Sequence, residues 1–124
     1  MVPGPTRYNK LTANEILPEI GEHLLTLQQA YKELQRHRAA VAMRSHTNGG
    51  DPAGSAWAQV SDRVTEELEW FDQRSITIKD IEQGLIDFPA VIDGQEVLLC
   101  WKDGEPEVAF WHTLTSGIAG RKPL

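Results

Sequence analysis

The chain has 124 residues, 40% hydrophobic and 24% charged, with a net charge of −6. That is one domain of ordinary globular composition, and its acidic balance argues against a general nucleic-acid binder, which needs a basic face to release counterions. The single cysteine, Cys100, excludes an intrachain disulfide and fits a reducing, cytoplasmic setting; the apolar run over residues 97–101 is far short of the ~18 residues of a membrane span, and residues 1–7 carry no apolar targeting segment.

Residues 1–10, with two prolines and no periodicity, are expected to be a flexible arm before a single domain over 11–124. A helical hairpin is expected over 12–74. Its opening signal is Thr12-Ala13-Asn14-Glu15, a capping box in which the Thr12 hydroxyl and the Glu15 side chain satisfy each other's backbone amides. Pro18 falls in the second turn and costs one backbone bond. The apolar stripe Leu17, Ile20, Leu24, Leu27, Tyr31, Leu34, Arg38, Val41 repeats in alternating steps of three and four, a coiled-coil seam that calls for a helix against it, with Arg38 snorkelling. A polar, Gly-rich connection over 44–55 follows, and Asp51-Pro52 or Ser55 opens the second helix. Trp57, Val60, Val64, Leu68 and Phe71 form its apolar face, with Glu66, Glu67 and Glu69 on the other side, so the two helices pair antiparallel.

After Ser75 the period falls to two, and a sheet is expected over 76–113. Residues 76–79 alternate as a strand does. Residues 84–91 are extended, with Pro89 confining them to an edge or a break. Residues 95–102 and 105–113 flank Asp103-Gly104, a two-residue type I′ hairpin signal. That register sets Lys102 opposite Glu105, Cys100 opposite Glu107 and Gln95 opposite His112. Residues 114–124 read as a C-terminal loop. The fold expected is α+β, a long antiparallel helical hairpin packed on a small three- to four-stranded mostly antiparallel sheet.

Several segments carry a resemblance to a known family. Gly84-Leu85-Ile86-Asp87-Phe88-Pro89, Leu99-Cys100-Trp101, Gly104-Glu105-Pro106-Glu107-Val108, Trp111-His112 and Gly117-Ile118-Ala119-Gly120-Arg121, with Ala13-Asn14 and Leu17-Pro18 upstream, resemble the uncharacterised bacterial family called domain of unknown function 2203. The resemblance covers most of residues 8–124. It departs from the family pattern at Ile118, where an aromatic residue is usual, and at Thr113, where an acid after the histidine is usual. It implies a fold and a set of positions, and no activity.

The polar residues of those segments, Asp87, Glu105, His112 and Arg121, with Cys100, are the candidates for chemistry. Asp87, Glu105 and His112 together would suit a divalent metal or acid–base work, provided residues 84–91 fold across the hairpin. The competing expectations are that Asp87 caps a turn, that Glu105 is a surface acid, and that Arg121 bridges the two acids with His112 closing the network. In the expected register His112 and Cys100 lie ~16 Å apart along the ladder, too far to share an ion, and no C-x-x-C or H-x-x-x-H spacing supports zinc. Cys100 beside Glu107 is a buried thiol rather than a nucleophile. His23, His37 and His46 are expected to be solvated. Trp101 and Trp111 could stack on a planar ligand, but in so small a sheet they serve the core. Because both sheet faces are rather apolar, a second cover is needed beyond the helices. The leading expectation is a small cytosolic interaction module that forms a homodimer through its helical seam, with no nucleic acid or membrane as partner. The alternatives are a small metal-dependent or acid–base enzyme using Asp87, Glu105, His112 and Arg121, and a small-ligand binder between sheet and helices.

Overall fold

The computed structural model describes residues 6–43 and 52–124, with the side chains of 41–43 and 52–55 left aside. The expected connection is therefore outside the described residues through position 51, as are His46 and residues 1–5. Helix α1 spans Lys10–Met43 and helix α2 spans Pro52–Asp72. The start of α1 is set by Asn9 rather than Thr12. The Asn9 Oδ1 accepts from the Thr12 amide and the Thr12 Oγ1 accepts from the Asn9 amide, each at 2.9 Å. Thr12 is the third-position partner in this reciprocal cap, not the cap itself.

The α1 stripe is buried at Ile20, Leu24, Leu27 and Leu34 and partly buried at Leu17 and Tyr31, while Arg38 is exposed. His23 beside Glu67 and Glu33 beside Arg63 fix the two helices as antiparallel. The inward face of α2 differs from the expected one. Val60, Val64 and Phe71 are buried, but Trp57 and Leu68 are exposed, and Glu67 turns inward. His23 accounts for that rotation: its Nδ1 lies 2.7 Å from Glu67 Oε2, and its ring stacks on Trp70 with centroids 3.9 Å apart. The pairing gives a charged group a reason to sit at the helix interface, which apolar spacing does not register.

Among the described residues the sheet has five antiparallel strands in the order β1-β2-β3-β4-β5: Thr77–Asp80, Leu85–Ile92, Gln95–Lys102, Phe110–Thr113 and Lys122–Pro123. The fifth strand, absent from the expected count, is made by the tail. After a single 3-10 turn at Ile118–Gly120 the chain returns beside β4, pairing Pro123 with Phe110 and Lys122 with Trp111, and the Leu124 amide donates to the Ala109 carbonyl at 2.8 Å. Of the expected flexible arm, residues 6–9 are held against the sheet. The Tyr8 amide donates to the Pro89 carbonyl at 2.7 Å, and its ring meets Phe88 edge-on at 5.2 Å. Pro89 thus stands where β1 no longer covers β2, and its missing N–H costs the ladder nothing on that side.

The tight hairpin turn is Asp93-Gly94, between β2 and β3, not Asp103-Gly104. Ile92 pairs with Gln95, and the two turn residues have φ of 52° and 77°, the type I′ signature. At Lys102–Glu105 only Gly104 has positive φ, and the chain then runs on as a longer connection to Phe110. Pro106 has no amide to give to a ladder. Val108 finds its partner on α1 instead: its amide donates to Asn14 Oδ1 at 2.7 Å and its carbonyl accepts from Asn14 Nδ2 at 3.2 Å. The β3–β4 register consequently pairs Leu98 with His112, Leu99 with Trp111 and Cys100 with Phe110. This register is offset by three residues from the expected one, and an odd offset exchanges the two faces of β4.

Even-numbered residues of β2 and odd-numbered residues of β3 point at the helices. Ile86, Phe88, Leu99, Trp101 and Val97 form the core with Ile20, Leu24, Leu27, Val64 and Phe71. The opposite sheet face carries Asp87, Cys100, His112 and Phe110.

Candidate functional site

Three neighbouring strands build a buried polar centre on the sheet face away from the helices. Asp87 on β2 stands directly opposite Cys100 on β3, and His112 on β4 pairs with Leu98, two residues along β3 and so on the same face. A carboxylate oxygen, the Cys100 Sγ and a ring nitrogen of His112 lie within 4.8 Å of one another, and Asp87 and His112 are only 1% and 3% exposed.

The hydrogen bonds around His112 place an acceptor at each of its ring nitrogens. Nδ1 lies 2.8 Å from the Thr113 carbonyl oxygen. A carbonyl only accepts, so Nδ1 carries the proton and Nε2 faces Asp87 Oδ1 at 3.1 Å. Asp87 Oδ2 is buried without a hydrogen-bond partner among the described residues. Burial, followed by the negative charge of Asp87, pushes the Cys100 thiol up to about 11, with Arg121 opposing the rise. Cys100 is therefore a thiol at neutral pH and a poor nucleophile as it stands.

A second pair lies alongside. Arg121, delivered by the returning tail, donates from Nη2 to Glu105 Oε1 at 2.6 Å and to the Cys100 carbonyl at 3.3 Å, and its guanidinium covers the Phe110 ring at 4.2 Å. Glu105 Oε1 also accepts from the Lys102 amide at 2.6 Å. Of the four residues singled out from the sequence, Asp87 joins His112 and Glu105 joins Arg121; Arg121 makes no bond to Asp87, so it does not bridge the two acids. Asp87 is mid-strand rather than a turn cap, and Glu105 is paired rather than freely solvated. Cys100, set aside in the sequence, sits where the pairs meet, and the separation of ~16 Å assigned to it and His112 falls with the register that implied it. The signal that corrects the register is Pro106, which a strand over 105–113 could not have held in its ladder.

Trp101 is buried on the helix side and donates from Nε1 to the Glu105 carbonyl at 3.0 Å, while Trp111 is partly buried there beneath Lys122. Two open grooves lie elsewhere. One of about 830 Å³ runs between the start of α1 and Pro106-Glu107, and one of about 500 Å³ lies between Gln28, Tyr31 and Asp103. No helix among the described residues is long and apolar enough to cross a membrane.

No curated protein and no solved structure matches the chain. The model of the family described as an uncharacterized conserved protein, DUF2203, matches residues 7–124, a span holding both helices, all five strands and every residue of the buried centre, and the chain belongs to that family.

Proposed function

We propose that this domain is a non-catalytic interaction module that pairs with a second copy of itself in the cytoplasm. The observation that carries this reading is the uneven cover of the sheet. Two helices bury one face, while the tail covers only part of the other. Val91, Leu114, Ile118 and Leu124, on that face and on the tail, are left 42–56% exposed. An apolar margin left half covered around a buried polar centre is a natural seat for a partner. The helical seam offers less to a second copy, because Ile20, Leu24, Leu27 and Leu34 are already buried within the chain. The depth of Asp87, Cys100 and His112 supports the non-catalytic part of the reading, since none of them lines the grooves described above.

Size-exclusion chromatography with light scattering tests this. The expected mass at micromolar concentration is twice 13.9 kDa. Leu114→Glu combined with Ile118→Glu, both at exposed positions, should return the protein to a monomer without unfolding it. A parent mass of 13.9 kDa across the concentration range would refute the reading.

A further inference from the structure

We propose that Asp87, Cys100 and His112 form a binding site for one divalent transition ion of the zinc class. The inference is independent of self-association and rests on three observations. The first is the ligand set: one oxygen, one sulfur and one nitrogen from three adjacent strands, all within 4.8 Å and all buried. A thiolate and an imidazole select zinc and its neighbours over magnesium or calcium, which prefer oxygen alone.

The second observation is the pair of bonds to His112. With the Nδ1 proton committed to the Thr113 carbonyl, Nε2 presents its lone pair to the Asp87 carboxylate at 3.1 Å. Two lone pairs cannot face each other at that distance, so a positive charge belongs between them, and a metal ion or a proton supplies it. Tying the far ring nitrogen to a backbone carbonyl is also the arrangement that orients a histidine for metal. The third is Asp87 Oδ2, buried and without a hydrogen-bond partner among the described residues, a ligand atom already desolvated.

The charges balance as well. One divalent ion, the Asp87 carboxylate, a Cys100 thiolate and a neutral His112 sum to zero. Arg121, the cation nearest Cys100, is neutralised by Glu105 at 2.6 Å. A neutral buried centre avoids the uncompensated charge that makes most buried ions costly. Binding moves the Cys100 thiol proton to solvent, with any proton between Asp87 and His112 displaced by the ion, while electron pairs of the sulfur, the nitrogen and the carboxylate go to the ion. No redox step is involved.

The test uses the full untagged chain, stripped with a chelator and titrated with Co²⁺ as a spectroscopic stand-in. The expected result is saturation at one equivalent, with a thiolate-to-cobalt charge-transfer band that Zn²⁺ abolishes by displacement. Cys100→Ser should remove that band. Asp87→Asn and His112→Gln should each weaken binding at least about 100-fold, beyond the about 10–100-fold that loss of an outer hydrogen-bond partner costs. His37→Gln, on α1 away from the site, should leave the titration unchanged. Because a site variant could unfold, each is checked by circular dichroism. The melting temperature of the parent should also rise with Zn²⁺ up to one equivalent and then level off. A parent that shows no saturable band and no rise in melting temperature, or a folded Cys100→Ser that keeps the band, would overturn the proposal and leave a shared proton between Asp87 and His112.

Discussion

His112→Leu probes the buried pair most directly. In the parent, Asp87 Oδ1 has His112 Nε2 at 3.1 Å and Oδ2 has no hydrogen-bond partner among the described residues. The substitution removes the one partner and leaves a carboxylate, about 2% exposed, without any. Breaking a buried pair from one side costs about 3–5 kcal/mol, because the remaining charge stays desolvated. Total stability for a domain of this size is roughly 5–15 kcal/mol, so this one change consumes a large part of it. At roughly 3–6 °C per kcal/mol the melting temperature should fall by about 10–30 °C. Replacing both partners removes the charge along with its partner. Asp87→Val with His112→Leu should therefore recover to within about 1 kcal/mol of the parent, or exceed it. Urea unfolding followed by tryptophan fluorescence, with a chelator present, measures the cycle without any contribution from bound ion. The reasoning fails if His112→Leu alone stays within about 1 kcal/mol of the parent, the range of an exposed pair, or if the double variant is no more stable than the single.

Three further outcomes are expected. Leu27→Ala, at a fully buried position of the α1 stripe, should cost about 2–5 kcal/mol in denaturant titrations, and a parent-like midpoint would mean that the stripe is not packed. Gly84 has φ of 68°, and a Cβ there would come within 2.6 Å of the Asp103 Cβ, whereas Gly104 opens onto free space; Gly84→Ala should therefore destabilise more than Gly104→Ala, and the reverse order in thermal melts would contradict the packing. The folded state holds the Cys100 thiol up at about 11, so an unfolded chain loses that proton first. Relative to Cys100→Ala, the chelator-treated parent should keep its stability below about pH 9 and lose about 2 kcal/mol as pH rises towards 11. A pH-independent difference between the two would show that the thiol is not raised.

Much of the fold was legible because periodicity reports burial. The step of three and four from Leu17 to Leu34 marks the helix face that is in fact buried, and the change to a period of two after Ser75 marks the sheet. The α2 face was read less well, because Glu67 is drawn inward by His23, a partner 44 residues away that no local pattern contains. The site was legible as a set of residues and illegible as a geometry. Asp87, Glu105, His112 and Arg121 were picked out, yet they fall into two pairs, and Cys100 was rejected on a register that Pro106 and the Asn14–Val108 bonds do not permit.

The sequence by itself determined the helical hairpin, the strands β1 to β3 in approximate extent and the far end of β4, and the residue types available for chemistry, since each depends on hydrophobic spacing and local backbone preference within one segment. Only the tertiary structure decided which residues meet. A type I′ turn at Asp93-Gly94 instead of Asp103-Gly104, an Asn14 side chain that takes up the backbone of Val108, and a tail that returns as β5 together set the register of β4. Because side chains alternate along a strand, that odd offset carries His112 from a position remote from Cys100 to one beside both Cys100 and Asp87. The buried centre is thus a consequence of long-range pairing, decided by contacts between segments and not within any of them.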